Sequence, residues 1–141
     1  MTIQMVLAPL FVQVALTFGL LFWMAYARTS SVSRGETKMR DIALGEPAWP
    51  AKPTQISNCY DSQFQLPLLF YVLVILAWIT RHADVIFVVM AWLFVLLRGA
   101  HAYVHTTSNR VPTRFRMFAA GMFVLLLMWI IFAVRILLAL P

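Results

Sequence analysis

The run VIFVVMAWLFVLLRGAHAYV, residues Val85–Val104, decides the fold. About 20 apolar residues let a helix cross a hydrocarbon layer roughly 30 Å thick, and only Arg98 and His101 interrupt this one. The run therefore predicts a membrane-spanning helix over 85–106. Just before it, Arg81-His-Ala-Asp84 is too short for anything but a tight turn, so the preceding apolar run packs antiparallel to it as a hairpin. That run, Leu66–Ile79, has only 14 residues. Its helix must start earlier, inside Asn58-Cys-Tyr-Asp-Ser-Gln-Phe-Gln65, which predicts a span over 58–80 with Asn58 as N-cap and polar side chains entering the membrane edge.

Further out, Met5–Ala27 offers 23 positions without a charge, broken only by Pro9, Gln13 and Gly19. Nothing before Arg28 is charged and the apolar core is too long for a cleaved signal, so 5–27 reads as a retained first span. The last span, over 113–140, is charge-free from Met117 to Val134 and then carries Arg135. Between the first two spans, residues 28–57 form a long basic connection. Pro47, Pro50 and Pro53 around Trp49 predict an ordered loop lying at the membrane surface rather than a helix. Trp23, Tyr26, Trp78 and Tyr103 stand near span ends, where aromatic rings anchor at the interface.

Composition agrees. The chain is 62% hydrophobic and 11% charged, whereas soluble domains run near half apolar and a quarter charged, so lipid must be part of its solvent. The fold class is all-α: one integral membrane domain, 1–141, made of four transmembrane helices. Its single cysteine, Cys59, excludes an internal disulfide and any cysteine-rich metal cluster. The net charge of +6 reads as topological sorting rather than nucleic-acid binding. Arg28, Arg34, Lys38, Arg40, Lys52, Arg110, Arg114 and Arg116 fall on one side, against Arg81 and Arg135 on the other. Both long connections then face the cytoplasm and both termini the opposite side of a plasma membrane, the inner one in a bacterium.

Arg98 lies 13 residues into its span, hence about 20 Å from the outer end and inside the hydrocarbon. A charge there needs a partner or a wet cavity, and marks a candidate site; the plainer reading is an arginine that snorkels or locks neighbouring helices. At 100° per residue Arg98, His101 and His105 (i, i+3, i+7) share one stripe, and on the second span Tyr60, Gln63 and Pro67 do the same at the same end. Arg110, Arg114 and Arg116 follow around Pro112, and Arg28 arrives from the first span. Five arginines around one mouth call for an anionic ligand, although Arg116 reads more simply as a contact to lipid phosphates. His101 and His105 could share a metal by spacing, yet no carboxylate follows the first histidine as His-Glu-x-x-His requires and no third ligand presents itself, so no metal is expected. Cys59 reads as a structural thiol.

With these residues assembled, nearly the whole chain resembles the membrane-associated proteins in eicosanoid and glutathione metabolism, in their bacterial-type form. Arg98-Gly-Ala-His101, then His105, Arg110-Val-Pro112 and Arg114, is similar to the family's R-x-x-H or R-x-x-Y, second aromatic and R-x-P-x-R. Gln63-Phe-Gln-Leu-Pro67 is similar to its E-x-x-x-P. The resemblance implies a homotrimer with a glutathione site between neighbouring subunits, open to the cytoplasm. Glutathione would be a co-substrate held by Arg28, Gln63, Arg98, His101, Arg110 and Arg114, with Arg114 and His105 in the catalytic role. It further implies a transferase or peroxidase acting on lipophilic electrophiles or lipid hydroperoxides that arrive from the bilayer. Where the family has a glutamate this chain has Gln63, where it has an asparagine three residues earlier Tyr60, at the second aromatic position His105, and where catalytic members often carry a tyrosine, Phe118. Those exchanges motivate a second reading, a noncatalytic protein of the same fold whose pocket takes an anionic lipid or serves assembly with a partner. A small transporter is a third, disfavoured because the spans hold no acidic relay.

Overall fold

The computed structural model describes residues 1–45 and 48–141, and every regular element among them is helical. α1 spans Ile3–Ser33, α2 Ala51–Ser62, α3 Leu66–Ile79, α4 Val85–Thr106 and α5 Val111–Leu137, with one short 3-10 turn at Met39–Asp41. Four stretches are long and apolar enough to cross a membrane: Ile3–Ser33, Ala51–Ile79, Val85–Thr106 and Val111–Leu137. The chain is a multi-pass integral membrane protein. α2 and α3 together make its second span.

The connection between the first two spans is shorter than the expected 28–57. α1 runs on through Arg28 to Ser33, where Ser31 Oγ bonds back to the Ala27 carbonyl at 3.0 Å. Gly35 then ends it at φ +75°, with Gly35 N–H on the Val32 carbonyl and Glu36 N–H on that of Ser31, a Schellman closure that needs a residue comfortable in the left-handed region. α2 starts at Ala51 in spite of its prolines. Pro50 is the cap and Pro53 sits in the first turn, where a missing N–H costs nothing. Pro47 lies outside the described residues. Asn58, expected to cap this helix, is instead an exposed residue in its middle, because the helix begins seven positions earlier.

The second span is broken at Gln63–Gln65, and proline explains where. A continuous helix would bond residue 67 to the carbonyl of residue 63, but Pro67 has no N–H and its ring crowds that carbonyl. The tight turn after Ile79 also closes in Schellman fashion, here with Arg81 at φ +61°, and Asp84 caps α4 by accepting the Phe87 N–H at 2.9 Å.

The core lies between α3, α4 and α5 with the start of α1: Val6, Phe70, Leu73, Ala91, Phe94 and Leu125 are buried, and Phe70 stacks on Phe94 at 4.8 Å. The outer surface is apolar too, with Phe11, Phe22, Leu68, Ile86, Leu96 and Phe123 exposed as lipid-facing residues are. Trp23, Tyr26, Trp78 and Tyr103 are all exposed.

Candidate site at the Arg114 end of the bundle

Arg98, His101 and His105 are all buried and share the α4 face turned to α2 and α5. Arg98 reaches the break in the second span. Its Nη2 donates to the Ser62 carbonyl at 3.1 Å and to Ser62 Oγ at 3.0 Å, so a backbone acceptor released by the break is satisfied inside the membrane. Its Nε and Nη1 are buried without a partner among the described residues. Ser62 Oγ in turn donates to the Cys59 carbonyl at 2.6 Å.

Gln63 points the other way. It accepts from Gln13 Nε2 at 2.8 Å and donates to the Cys59 carbonyl at 3.0 Å, which ties α1 to the break. Buried and neutral, this pair fastens two helices without an uncompensated charge. Cys59 is fully buried between Leu20 and Ala102, a packing residue.

α2 also secures the end of α4. The last carbonyls of a helix lack partners of their own, and here Gln55 Nε2 donates to those of His105 at 2.7 Å and Thr107 at 3.1 Å, while Lys52 Nζ donates to that of Thr106. The imidazoles of His101 and His105 thereby stay stacked edge to face, 5.4 Å apart, with the Phe118 ring 5.9 Å from His101.

Between these elements opens a cavity of about 360 Å³, lined by Asn58, Ser62, Gln65, His101, His105, Arg114 and Phe118 together with Val111 and Phe115. Arg114 is half-buried and spends only Nη1, on Asn109 Oδ1 at 2.8 Å. The remaining guanidinium edge is available to a guest, and Asn109 aims it. A partly desolvated arginine beside two imidazoles and an amide favours an anion or a polarised sulfur or oxygen.

Of the residues singled out in the sequence, the structure brings His101, His105 and Arg114 to this cavity and places Arg98 behind it, joined through Ser62. Arg28 is elsewhere within the chain: its Nη2 donates to Ser57 Oγ at 2.8 Å and its guanidinium lies 4.9 Å over Trp49, on the α1–α2 seam. Arg110 and Arg116 are exposed, Arg110 as the residue before α5. The second-span stripe that faces the cavity is Asn58, Ser62 and Gln65, not Tyr60, Gln63 and Pro67, because the break turns Gln63 toward α1 and Tyr60 packs beside Cys59. The sequence reading passed over Asn58, Ser62 and Gln65, although their i, i+4 and i+7 spacing carries the signal. Asn109, by contrast, acts by a turn geometry that no pattern announced.

Four spans, three of which line a polar, arginine-bearing cavity at one end of the bundle, define the class: a small multi-pass membrane protein. The family follows from comparison, since the model described as the MAPEG family matches residues 6–134. The chain belongs to that family, the membrane-associated proteins whose motifs its third and fourth spans resemble. No curated protein and no solved structure matches it.

Proposed function

We propose that the protein is a glutathione-dependent transferase or peroxidase, acting on lipophilic electrophiles or lipid hydroperoxides that reach the cavity from the bilayer. The observation that carries this reading is the convergence of His101, His105 and Arg114 on one cavity, backed by a buried arginine. Family membership supports it.

The cavity is compatible with a thiol tripeptide in part. Arg114 suits a carboxylate or the negative sulfur, and an arginine close to a sulfur favours its reactive thiolate form. At about 360 Å³ the space lies in the lower range of small-molecule sites, so a tripeptide fits only if it extends through the open mouth. For an ammonium group the lining offers the amide oxygens of Asn58 and Gln65, not a carboxylate. Bound glutathione would supply the nucleophilic sulfur. The chain's own part is then to hold negative charge at Arg114, to keep the histidine rings in place through the Gln55 and Lys52 clamps, and to exclude water with Phe115 and Phe118. In this reading the protein is a homotrimer, Arg28 and Arg110 act toward a neighbouring copy's cavity, and the cavity faces the cytoplasm.

Titration calorimetry in detergent with glutathione tests it, followed by turnover with a generic electrophile and a lipid hydroperoxide. Saturable binding that Arg114→Ala weakens about 10- to 100-fold is the expected outcome; no heat of binding defeats the proposal. The second reading, a noncatalytic protein holding an anionic lipid, is favoured by Phe118, which brings no hydroxyl to the cavity, and by the inward, neutral Gln63. Copurification of an anionic phospholipid that Arg114→Ala releases, without glutathione turnover, identifies that case.

A further inference from the structure

The opposite end of the bundle holds a second chamber, of about 270 Å³, between α4 and α5. The length of α4 from Val85 to His105 puts it roughly 30 Å from the Arg114 cavity. Its floor is apolar, made of Phe87, Met90, Met128 and Phe132, and His82, Asp84 and Arg135 stand at its mouth.

The charges at that mouth are closed on one another. Arg135 Nη1 donates to Asp84 Oδ2 at 3.0 Å and to the His82 carbonyl at 3.2 Å, while Nε and Nη2 donate to the Pro141 carbonyl at 3.0 and 2.8 Å. The other Asp84 oxygen takes the Phe87 N–H. Every guanidinium nitrogen and both carboxylate oxygens already have partners, and four of the five N–H donors are spent, so a charged head group gains little here.

His82 is different. Its Nε2 lies 3.1 Å from the Leu140 carbonyl, and a carbonyl can only accept, so that nitrogen carries the proton. In the neutral ring Nδ1 is then a bare acceptor, and it is covered without a partner among the described residues. The Phe132 ring stands edge-on to the imidazole at 6.2 Å, completing an aromatic wall. What this mouth lacks is one hydrogen-bond donor without charge. The volume is below that of most whole-ligand pockets, and so suits one end of a long molecule. Two methionines give the floor an adaptable shape.

We propose that this chamber binds a neutral, hydroxyl-bearing lipophile drawn from the bilayer. Its hydroxyl donates to His82 Nδ1, the imidazole turning slightly to present it, and its carbon chain lies against Phe87, Met90 and Met128. This site is independent of the glutathione reading.

The test is photolabelling of the full chain in nanodiscs with dodecanol carrying a chain diazirine, beside the matching dodecane and dodecanoate probes, with labelled peptides located by mass spectrometry. The alcohol is expected to label the start of α4 and the middle of α5 about fivefold more than either control, the discrimination one hydrogen bond supplies. His82→Phe, which keeps the aromatic wall and deletes the acceptor, removes that preference. Met128→Trp, which fills the floor, blocks labelling there by all three probes. Equal labelling by alcohol and alkane makes the chamber a gap for acyl chains and overturns the proposal, as does a preference for dodecanoate or a preference that survives His82→Phe.

Discussion

Arg114 and Arg98 are both cationic, yet the structure gives them opposite energetics. Arg114 is half-buried and makes a single bond among the described residues, to Asn109, so its removal costs the fold little. Arg114→Ala is expected to weaken glutathione about 10- to 100-fold, the worth of a charge-assisted hydrogen bond, with an unfolding midpoint unchanged in detergent. Arg98 is 1% exposed and has two nitrogens without partners among the described residues. An apolar side chain of similar length removes the cost of burying that charge, and this offsets the loss of the two hydrogen bonds to Ser62. Arg98→Met is therefore expected to stay close to the wild type in thermal unfolding, whereas Arg98→Ala, which leaves a hole as well, falls below it. If Arg98 serves the cavity through Ser62, the stable methionine variant still loses glutathione affinity; a purely structural arginine leaves the isotherm intact. The sequence made both arginines visible as candidates, because charge inside an apolar run stands out. It did not show that Gln63 would face α1, since Gln13 lies 50 residues away and only packing joins them.

At the level of elements, helix ends carry the information that periodicity could not. Spans were readable because a bilayer demands long apolar runs, and Val85–Thr106 coincides with its expectation. The onset of the second span was not readable. Pro50 and Pro53 signal a loop or a first turn equally well, and only the docking of Gln55 and Lys52 on the end of α4 selects the helix. The turn between α3 and α4 holds an untapped gain. Arg81 is exposed and sits at φ +61°, a region that costs a side-chain-bearing residue about 1 kcal/mol or more relative to glycine. Arg81→Gly is expected to raise stability by about 1 kcal/mol, read as a higher midpoint in thermal unfolding.

For the whole molecule, the uneven distribution of basic residues sets the expected orientation. A cysteine placed at Gly45 is then labelled by an impermeant maleimide only from the cytoplasmic face, and one placed at Arg81 only from the other. Cys59, fully buried, stays silent in both. Light scattering corrected for detergent is expected to give three copies of the 16.1 kDa chain. The interruption at Gln63–Gln65 also bears on biogenesis. α3 alone is 14 residues long, short of the roughly 17 that a solitary segment needs to enter a bilayer from the translocon. It gains that length from the polar end of α2, so its insertion is weak until α4 emerges behind it through the Arg81–Asp84 corner. Nascent chains released before α4 should leave that corner on the side of synthesis, and chains long enough to include α4 should carry it across.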